Sequence, residues 1–287
     1  MSEAAIGIIG GSGLYEMEGF VETERRVVET PFGSPSDALV GGVLSGRQVW
    51  FLPRHGRSHS IMPHEINHRA NIWALKSLGV RFIICVTAVG SLKEEYAPRH
   101  VVLPDQFFDR TSRRAEHTFF GEGIAAHVGF SEPISIGLRE ILYHTCQSVG
   151  ATVHNGGTYV NMDGPAFSTK AESNANRQLG FDVIGMTNVA EAKLAREAEI
   201  ALATLSMITD YDCWHPGHDA VDVQTVVSHL KANSSLAQNV ITEAIAKIPA
   251  EANWSEHHAL ENAVLTPKQF WPEATVEKLS PILKSYV

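Results

Sequence analysis

The chain has 287 residues, 44% of them hydrophobic and 19% charged, with a net charge of -9. It is long enough to bury a sizeable core, and its acidity argues against duplex nucleic acid, whose phosphates need a basic face. Cys85, Cys146 and Cys213 are odd in number and far apart, no stretch nears the roughly 18 apolar residues of a membrane span, and the first apolar run lacks a leader's basic flank, so a soluble cytoplasmic protein is expected.

Residues 4–9 read as a short buried strand running into Gly10-Gly11-Ser12-Gly13. A strand followed by a glycine turn brings backbone N–H groups against an oxyanion, and Ser12 adds a hydroxyl. The spacing is neither the dinucleotide fingerprint, since residue 16 is Glu, nor a P-loop, and a plain tight turn explains it equally well. Residues 21–30 alternate in places and lead to the turn-rich Pro31-Phe32-Gly33-Ser34-Pro35-Ser36-Asp37. The apolar runs 38–44 and 49–53, separated by Ser45-Gly46-Arg47, read as a hairpin. The second run ends in Pro53-Arg54-His55-Gly56-Arg57-Ser58-His59, the densest basic cluster of the chain. There Arg54 offers a planar fork for phosphate or carboxylate and His55 a further donor.

Residues 63–78 are expected to form one helix opened by Pro63. It contains His64-Glu65-Ile66-Asn67-His68, a formal H-E-x-x-H match that could hold zinc. The residue three past His68 is Asn71 rather than Gly, no third-ligand segment follows, and 14 histidines make a chance match easy, so no metal is assigned. A strand over 81–86 ends in Thr87-Ala88-Val89-Gly90-Ser91. Residues 113–130 read as loop, 134–149 as helix, and 152–160 as one strand. Thr169-x-x-Glu172 is a capping box, and Asn188-x-x-Glu191 is expected to open the helix after the strand end Val183-Ile184-Gly185-Met186-Thr187. The run 200–207 is a buried strand ending in Thr209-Asp210-Tyr211-Asp212-Cys213-Trp214. In an extended backbone Asp210 and Asp212 point the same way and can address one ligand with N–H groups. A long helix over 223–248, a polar link and a short amphipathic tail complete the chain. Alternating strands and helices argue α/β in one domain over 1–287, with 251–287 as its tail.

One device recurs: a buried strand ends in hydroxyl-bearing, basic or acidic residues, at Ser12, Arg54-His55, Thr87-Ala88, Met186-Thr187 and Asp210-x-Asp212. Parallel strand ends converging on one pocket would explain it. With these residues in view the chain resembles the purine nucleoside phosphorylase superfamily, in its methylthioadenosine-cleaving branch. The resemblance rests on Thr30-Pro31-Phe32-Gly33-x-Pro35-Ser36-Asp37, Arg54-His55-Gly56-Arg57, Ala70-Asn71-Ile72-Trp73-Ala74-Leu75, Asp105-Gln106-Phe107, Gly185-Met186-Thr187 and the Asp210 loop.

That resemblance implies an α/β fold with a mixed twisted central sheet flanked by helices, assembled as a homotrimer. It implies phosphorolysis of 5'-methylthioadenosine to adenine and 5-methylthioribose 1-phosphate, with no metal or organic cofactor. By the same resemblance Ser12, Arg54, His55, Thr87, Ala88 and Thr187 hold phosphate, Met186 lies against the ribose, and Phe167 and Ser168 line the base pocket. Asp210 is the acid at purine N7 and Asp212 addresses the 6-amino group. Val223 accommodates the 5'-methylthio group, and His127 reaches a neighbouring subunit's pocket. Ser12, Ala166 and Ala190 depart from the usual threonine, arginine and proline, and Gly185 stands where asparagine also occurs. A 6-oxopurine nucleoside or methylthioinosine phosphorylase is the nearest alternative; a water-using nucleosidase, a metalloprotease and a nucleoside- or phosphate-binding sensor are the others.

Overall fold

In the computed structural model, residues 3–11, 14, 17–217 and 223–287 are described, with backbone alone for 223–228 and 230–232. The strands are β1 (Ala5–Gly10), β2 (Val21–Arg26), β3 (Leu39–Leu44), β4 (Arg47–Pro53), β5 (Val80–Ser91), β6 (Val101–Leu103), β7 (Gln106–Asp109), β8 (Val153–Asn155), β9 (Thr158–Asn161), β10 (Val183–Gly185) and β11 (Ala201–Asp210). The helices are α1 (His68–Ser77), α2 (Ile136–Ser148), α3 (Lys170–Gln178), α4 (Asn188–Glu197), α5 (Val223–Ile245), α6 (Glu273–Lys278) and α7 (Ser280–Leu283). All eleven strands join one mixed sheet.

β5 is its hub. It pairs parallel with β1 from Val80 to Cys85 and with β11 from Phe82 to Gly90, and at Gly90 and Ser91 it pairs antiparallel with β10. β1, β4, β5 and β11 carry near-continuous apolar runs because helices cover both faces of a parallel sheet; Ile6, Ile9, Val49, Phe82, Ile84, Ala203 and Leu205 are fully buried. Thr87 therefore lies inside β5 rather than at its end, and β10 brings Met186 and Thr187 to the same place from the opposite direction. Among the described residues, convergence of parallel strand ends holds for β1, β4 and β11, which run into Gly11, Arg54-His55 and Asp210.

The expected helix over 63–78 is broken. Pro63–Glu65 is a single 3-10 turn, and Asn67 starts α1 afresh, its Oδ1 accepting the Ala70 N–H at 3.1 Å. His64 and His68 thus do not share a helix, and Glu65 is spent accepting the Met62 N–H at 2.9 Å. Among the described residues no cluster of His, Cys, Asp and Glu is arranged to hold a metal ion, and no helix is long and apolar enough to cross a membrane. The strand expected over 152–160 is split by Gly156 and Gly157, both at positive φ. Thr187 rather than Asn188 is the N-cap of α4, with no capping bond from its hydroxyl, whereas Thr169 and Glu172 form the anticipated reciprocal cap on α3.

Two long-range ties hold the loops around the sheet's carboxyl edge. Asn71, fully buried on α1, accepts the Ser36 N–H at 2.8 Å and donates to the Ser36 hydroxyl at 2.9 Å. Asp37 accepts from the Arg57 backbone at 2.8 Å and from its guanidinium at 3.0 Å. The motifs 30–37, 54–57 and 70–75 are thus one contact. The tail is no appendage: Leu260, Leu279, Ile282 and Leu283 belong to the main core, and Trp73 Nε1 donates to the Lys278 carbonyl at 3.0 Å.

Candidate active site

β4 leaves the sheet at Pro53, and the Arg54 N–H continues the ladder by donating to the Gly10 carbonyl at 2.9 Å. The Arg54 side chain turns inward and is only 3% exposed. A buried guanidinium needs a partner, and Glu191, on the first turn of α4, meets its fork with Nε–Oε1 at 2.5 Å and Nη2–Oε2 at 2.9 Å. The Glu191 carboxylate also accepts from the Cys85 thiol at 3.2 Å and from Asn188 Nδ2 at 3.1 Å. Burial pushes this carboxyl up, but Arg54 and these bonds outweigh it and hold its pKa below the ordinary value. Arg54, favoured by the same pair against its own burial, stays charged. The fork that the sequence offered to a ligand is therefore occupied. Nη1 donates to the Val86 carbonyl at 3.0 Å and Nη2 reaches the Ile9 carbonyl at 3.5 Å, so of the five guanidinium N–H groups only one, on Nη1, lacks a partner among the described residues.

At the other end, β11 carries a bulge against β5: Ile208 pairs with Val89 and Asp210 with Gly90, leaving Thr209 between them. The bulge re-aims the strand end, and Gly90 makes room for it, since a Cβ there would lie 2.9 Å from Asp210 Oδ1. Asp212 is at φ +52°, so the two carboxylates share a side through a turn, with the Asp212 N–H donating to Asp210 Oδ1 at 2.8 Å, and not through an extended backbone. Burial pushes Asp210 up to about 6, against the bonds from Thr209 and Asp212. The Thr209 hydroxyl lies 2.7 Å from Asp210 Oδ2 and 3.3 Å from the Val89 carbonyl. It can donate to the carboxylate, or donate to Val89 while accepting from the acid, and so accommodates both protonation states. Asp212 is 6% exposed, its pKa raised chiefly by burial against the nearby hydroxyls of Ser173 and Ser168, and its Oδ2 makes no hydrogen bond of good geometry.

Both ends face one cavity of about 280 Å³. Arg54, His55, Thr87, Ala88 and Thr187 line one side; Asp210, Asp212 and Ser168 line the other, with Met186 and the half-exposed ring of Phe167 between them. A smaller chamber of about 130 Å³ lies behind Arg54, His55, Thr87 and Ala88 and runs to Gly11 and Asn233. His127 is not in this cavity. It lines a separate open groove with His117, Lys193 and Glu197. Ser12 and the Val223 side chain lie outside the described residues. Gly185, where asparagine was the alternative, has no room for a side chain: a Cβ would sit 1.8 Å from Tyr159 Oη, which is fully buried.

The sequence profile of the phosphorylase superfamily matches residues 5–246. The chain belongs to that superfamily. It is 53% identical over 285 residues to the S-methyl-5'-thioadenosine phosphorylase of Geobacter sulfurreducens, covering 99% of this chain and 100% of the relative, and 54% identical to that of Koribacter versatilis over 99% and 97%. Among solved structures, the methylthioadenosine phosphorylase from an antarctic soil metagenomic library superposes with a TM-score of 0.93 at 45% identity, covering 99% and 100% of the two chains. The Schistosoma mansoni methylthioadenosine phosphorylase in complex with adenine gives 0.84 at 33%, covering 99% of each.

Two residues of this phosphorylase fold escaped the sequence. Glu191 looked like half of a helix cap, and its partner Arg54 lies 137 positions away. Tyr159 looked like an ordinary strand residue. A glutamate at a helix start behind a buried strand was the only signal for the first; for the second there was none.

Proposed function

We propose that the chain catalyses phosphorolysis of 5'-methylthioadenosine to adenine and 5-methylthioribose 1-phosphate. The observation that carries this is the unequal cavity: at one end a carboxyl with a raised pKa beside a buried one with an unpartnered oxygen, and at the other a guanidinium paired with a glutamate, hydroxyls and a helix start. The relatives' names support the same substrate.

Asp212 Oδ2, buried and unpaired, suits the 6-amino group of adenine. Asp210, with its raised pKa, is the acid that protonates N7 as the C1'–N9 bond breaks and its electrons pass to the purine. General acid help of this kind is worth about 10²–10⁴-fold. Phosphate sits against Thr87, the Ala88 backbone, Thr187, His55 and the open N–H of Arg54, joined by Ser12, at the start of α4, whose dipole favours an anion. One of its oxygens bonds to C1' while its charge stabilises the cationic sugar. Met186 packs on the ribose, Phe167 and Ser168 on the base, and Val223 on the methylthio group.

No cofactor enters this scheme, since phosphate is a co-substrate. The whole chain serves as one domain, and its three free cysteines suit the reducing cytoplasm. We place His127 at a neighbouring subunit's pocket in a homotrimer; sedimentation gives the assembly, and His127→Ala should then raise the nucleoside KM.

Adenine release from 5'-methylthioadenosine, run with and without phosphate and beside methylthioinosine, tests the proposal. Phosphate-dependent release is expected. Turnover of methylthioinosine alone would move the enzyme to 6-oxopurines, and release indifferent to phosphate would make it a nucleosidase.

A further inference from the structure

His55 was read in the sequence as a donor to the oxyanion. Its Nδ1 lies 2.8 Å from the Ile61 carbonyl. A carbonyl only accepts, so Nδ1 carries the proton. The turn 53–61 enforces this bond: the Ile61 N–H returns to the His55 carbonyl at 3.2 Å, and the Gly56 N–H closes on Pro53 at 3.0 Å. The only hydrogen bond of the His55 ring among the described residues is the one at Nδ1, which leaves Nε2 without a partner there, and the residue lines the cavity. A second proton there would charge the ring beside Arg54, the cation nearest to it, with His59 stacked on its face at 4.7 Å. Glu191 on α4 offers little relief, because Arg54 already claims it. Burial, then Arg54 and His59, lower the His55 pKa to about 4, against the Ile61 bond and Glu191. At neutral pH the ring therefore presents a lone pair, not an N–H.

The neighbouring guanidinium points the same way. With its fork closed on Glu191, the Arg54–Glu191 pair brings no net charge to the anion. An anion with bare oxygens alone would face the Nε2 lone pair with nothing to give it.

We propose that His55 selects the protonation state of the oxyanion: Nε2 accepts a hydrogen bond from a P–O–H group, so the site takes anions that keep a proton and rejects those that have none. This deepens the phosphorolysis reading and rests on it. Inorganic phosphate and arsenate keep a proton throughout the neutral range. Sulfate keeps none, and monofluorophosphate matches the charge of hydrogen phosphate with fluorine in place of the hydroxyl. Facing two acceptors across one contact forfeits about tenfold or more in affinity, the range of an unmade buried hydrogen bond.

The test is adenine release at pH 7.5 with phosphate or arsenate as acceptor, and with sulfate or monofluorophosphate as competitor against phosphate. Arsenate should support turnover at a KM near that of phosphate, and the two proton-free anions should inhibit with constants about tenfold or more above the phosphate KM. His55→Gln puts an amide that can donate in place of Nε2, and should raise the phosphate KM while narrowing that gap. Sulfate and monofluorophosphate competing as well as phosphate, with the phosphate KM still raised in His55→Gln, would overturn the acceptor role and leave the oxyanion site standing. A phosphate KM unmoved by His55→Gln would take His55 out of the oxyanion contact and overturn this proposal, whereas loss of the phosphorolysis reading would show separately as adenine release indifferent to phosphate.

Discussion

The two ends of the cavity bury charge in opposite ways. At the Arg54 end the carboxylate is held by four hydrogen bonds, one on Oε1 and three on Oε2: Glu191 takes two from the guanidinium, one from a thiol and one from an amide. At the Asp210 end one carboxyl has a raised pKa and the other an oxygen with no partner. The first arrangement pairs its charges without a ligand; the second leaves an acceptor open and improves when N–H groups arrive. Rigid positioning and chemical readiness are thus placed on different elements, α4 against β4 for one and the bulged end of β11 for the other.

Breaking the satisfied end should cost most. Glu191→Ala leaves Arg54 buried and unpaired, and is expected to lose about 3–5 kcal/mol of stability, read by urea unfolding, along with phosphate dependence. A stability within about 1 kcal/mol of wild type would mean that water or phosphate replaces the carboxylate at no cost.

Asp210→Asn should do the reverse, lowering kcat by about 10²–10⁴-fold while keeping the fold. Its effect on stability has a defined sign. The folded pKa of about 6 lies above the ordinary aspartate value of 3.8, so the folded chain holds this proton more tightly than the unfolded one. The stabilising contribution is complete below the unfolded pKa and is lost as the pH rises through about 6. Unfolding curves at acid and neutral pH should show that loss in wild type and not in Asp210→Asn; equal slopes in both would remove the buried-acid explanation.

Between the ends, Gly185→Ala drives a Cβ into Tyr159 and should cost about 1–3 kcal/mol by overpacking. Tyr159→Phe alone should be near neutral, because the hydroxyl it removes is buried without a partner. In the double variant it should recover only part of the loss, since the ring carbon Cζ would still lie 2.5 Å from the new Cβ. Thermal melts of the three variants check this, and full additivity would show that the two residues do not meet. The smallest effect is Thr169→Ala. Losing the α3 cap should cost about 1 kcal/mol and leave kcat unchanged, a control that separates helix stability from catalysis.

The sequence by itself determined most of the strands and the residues at their ends. Period, apolar runs and turn residues are local signals, and a polar segment after a buried run is legible one residue at a time. The helix break at Asn67 was missed because Pro63 gives a start signal and the capping role of Asn67 shows only in its bond to Ala70. The direction of β10 was missed because three residues carry no mark of parallel or antiparallel pairing. Only the tertiary structure decided what each end residue has left to offer. Arg54 and Glu191 exchange their hydrogen bonds across 137 positions, and the Ile61 carbonyl turns His55 from donor to acceptor. A residue type states how many hydrogen bonds a side chain can make. Which of them remain for a ligand depends on the neighbours that the fold has already placed around it.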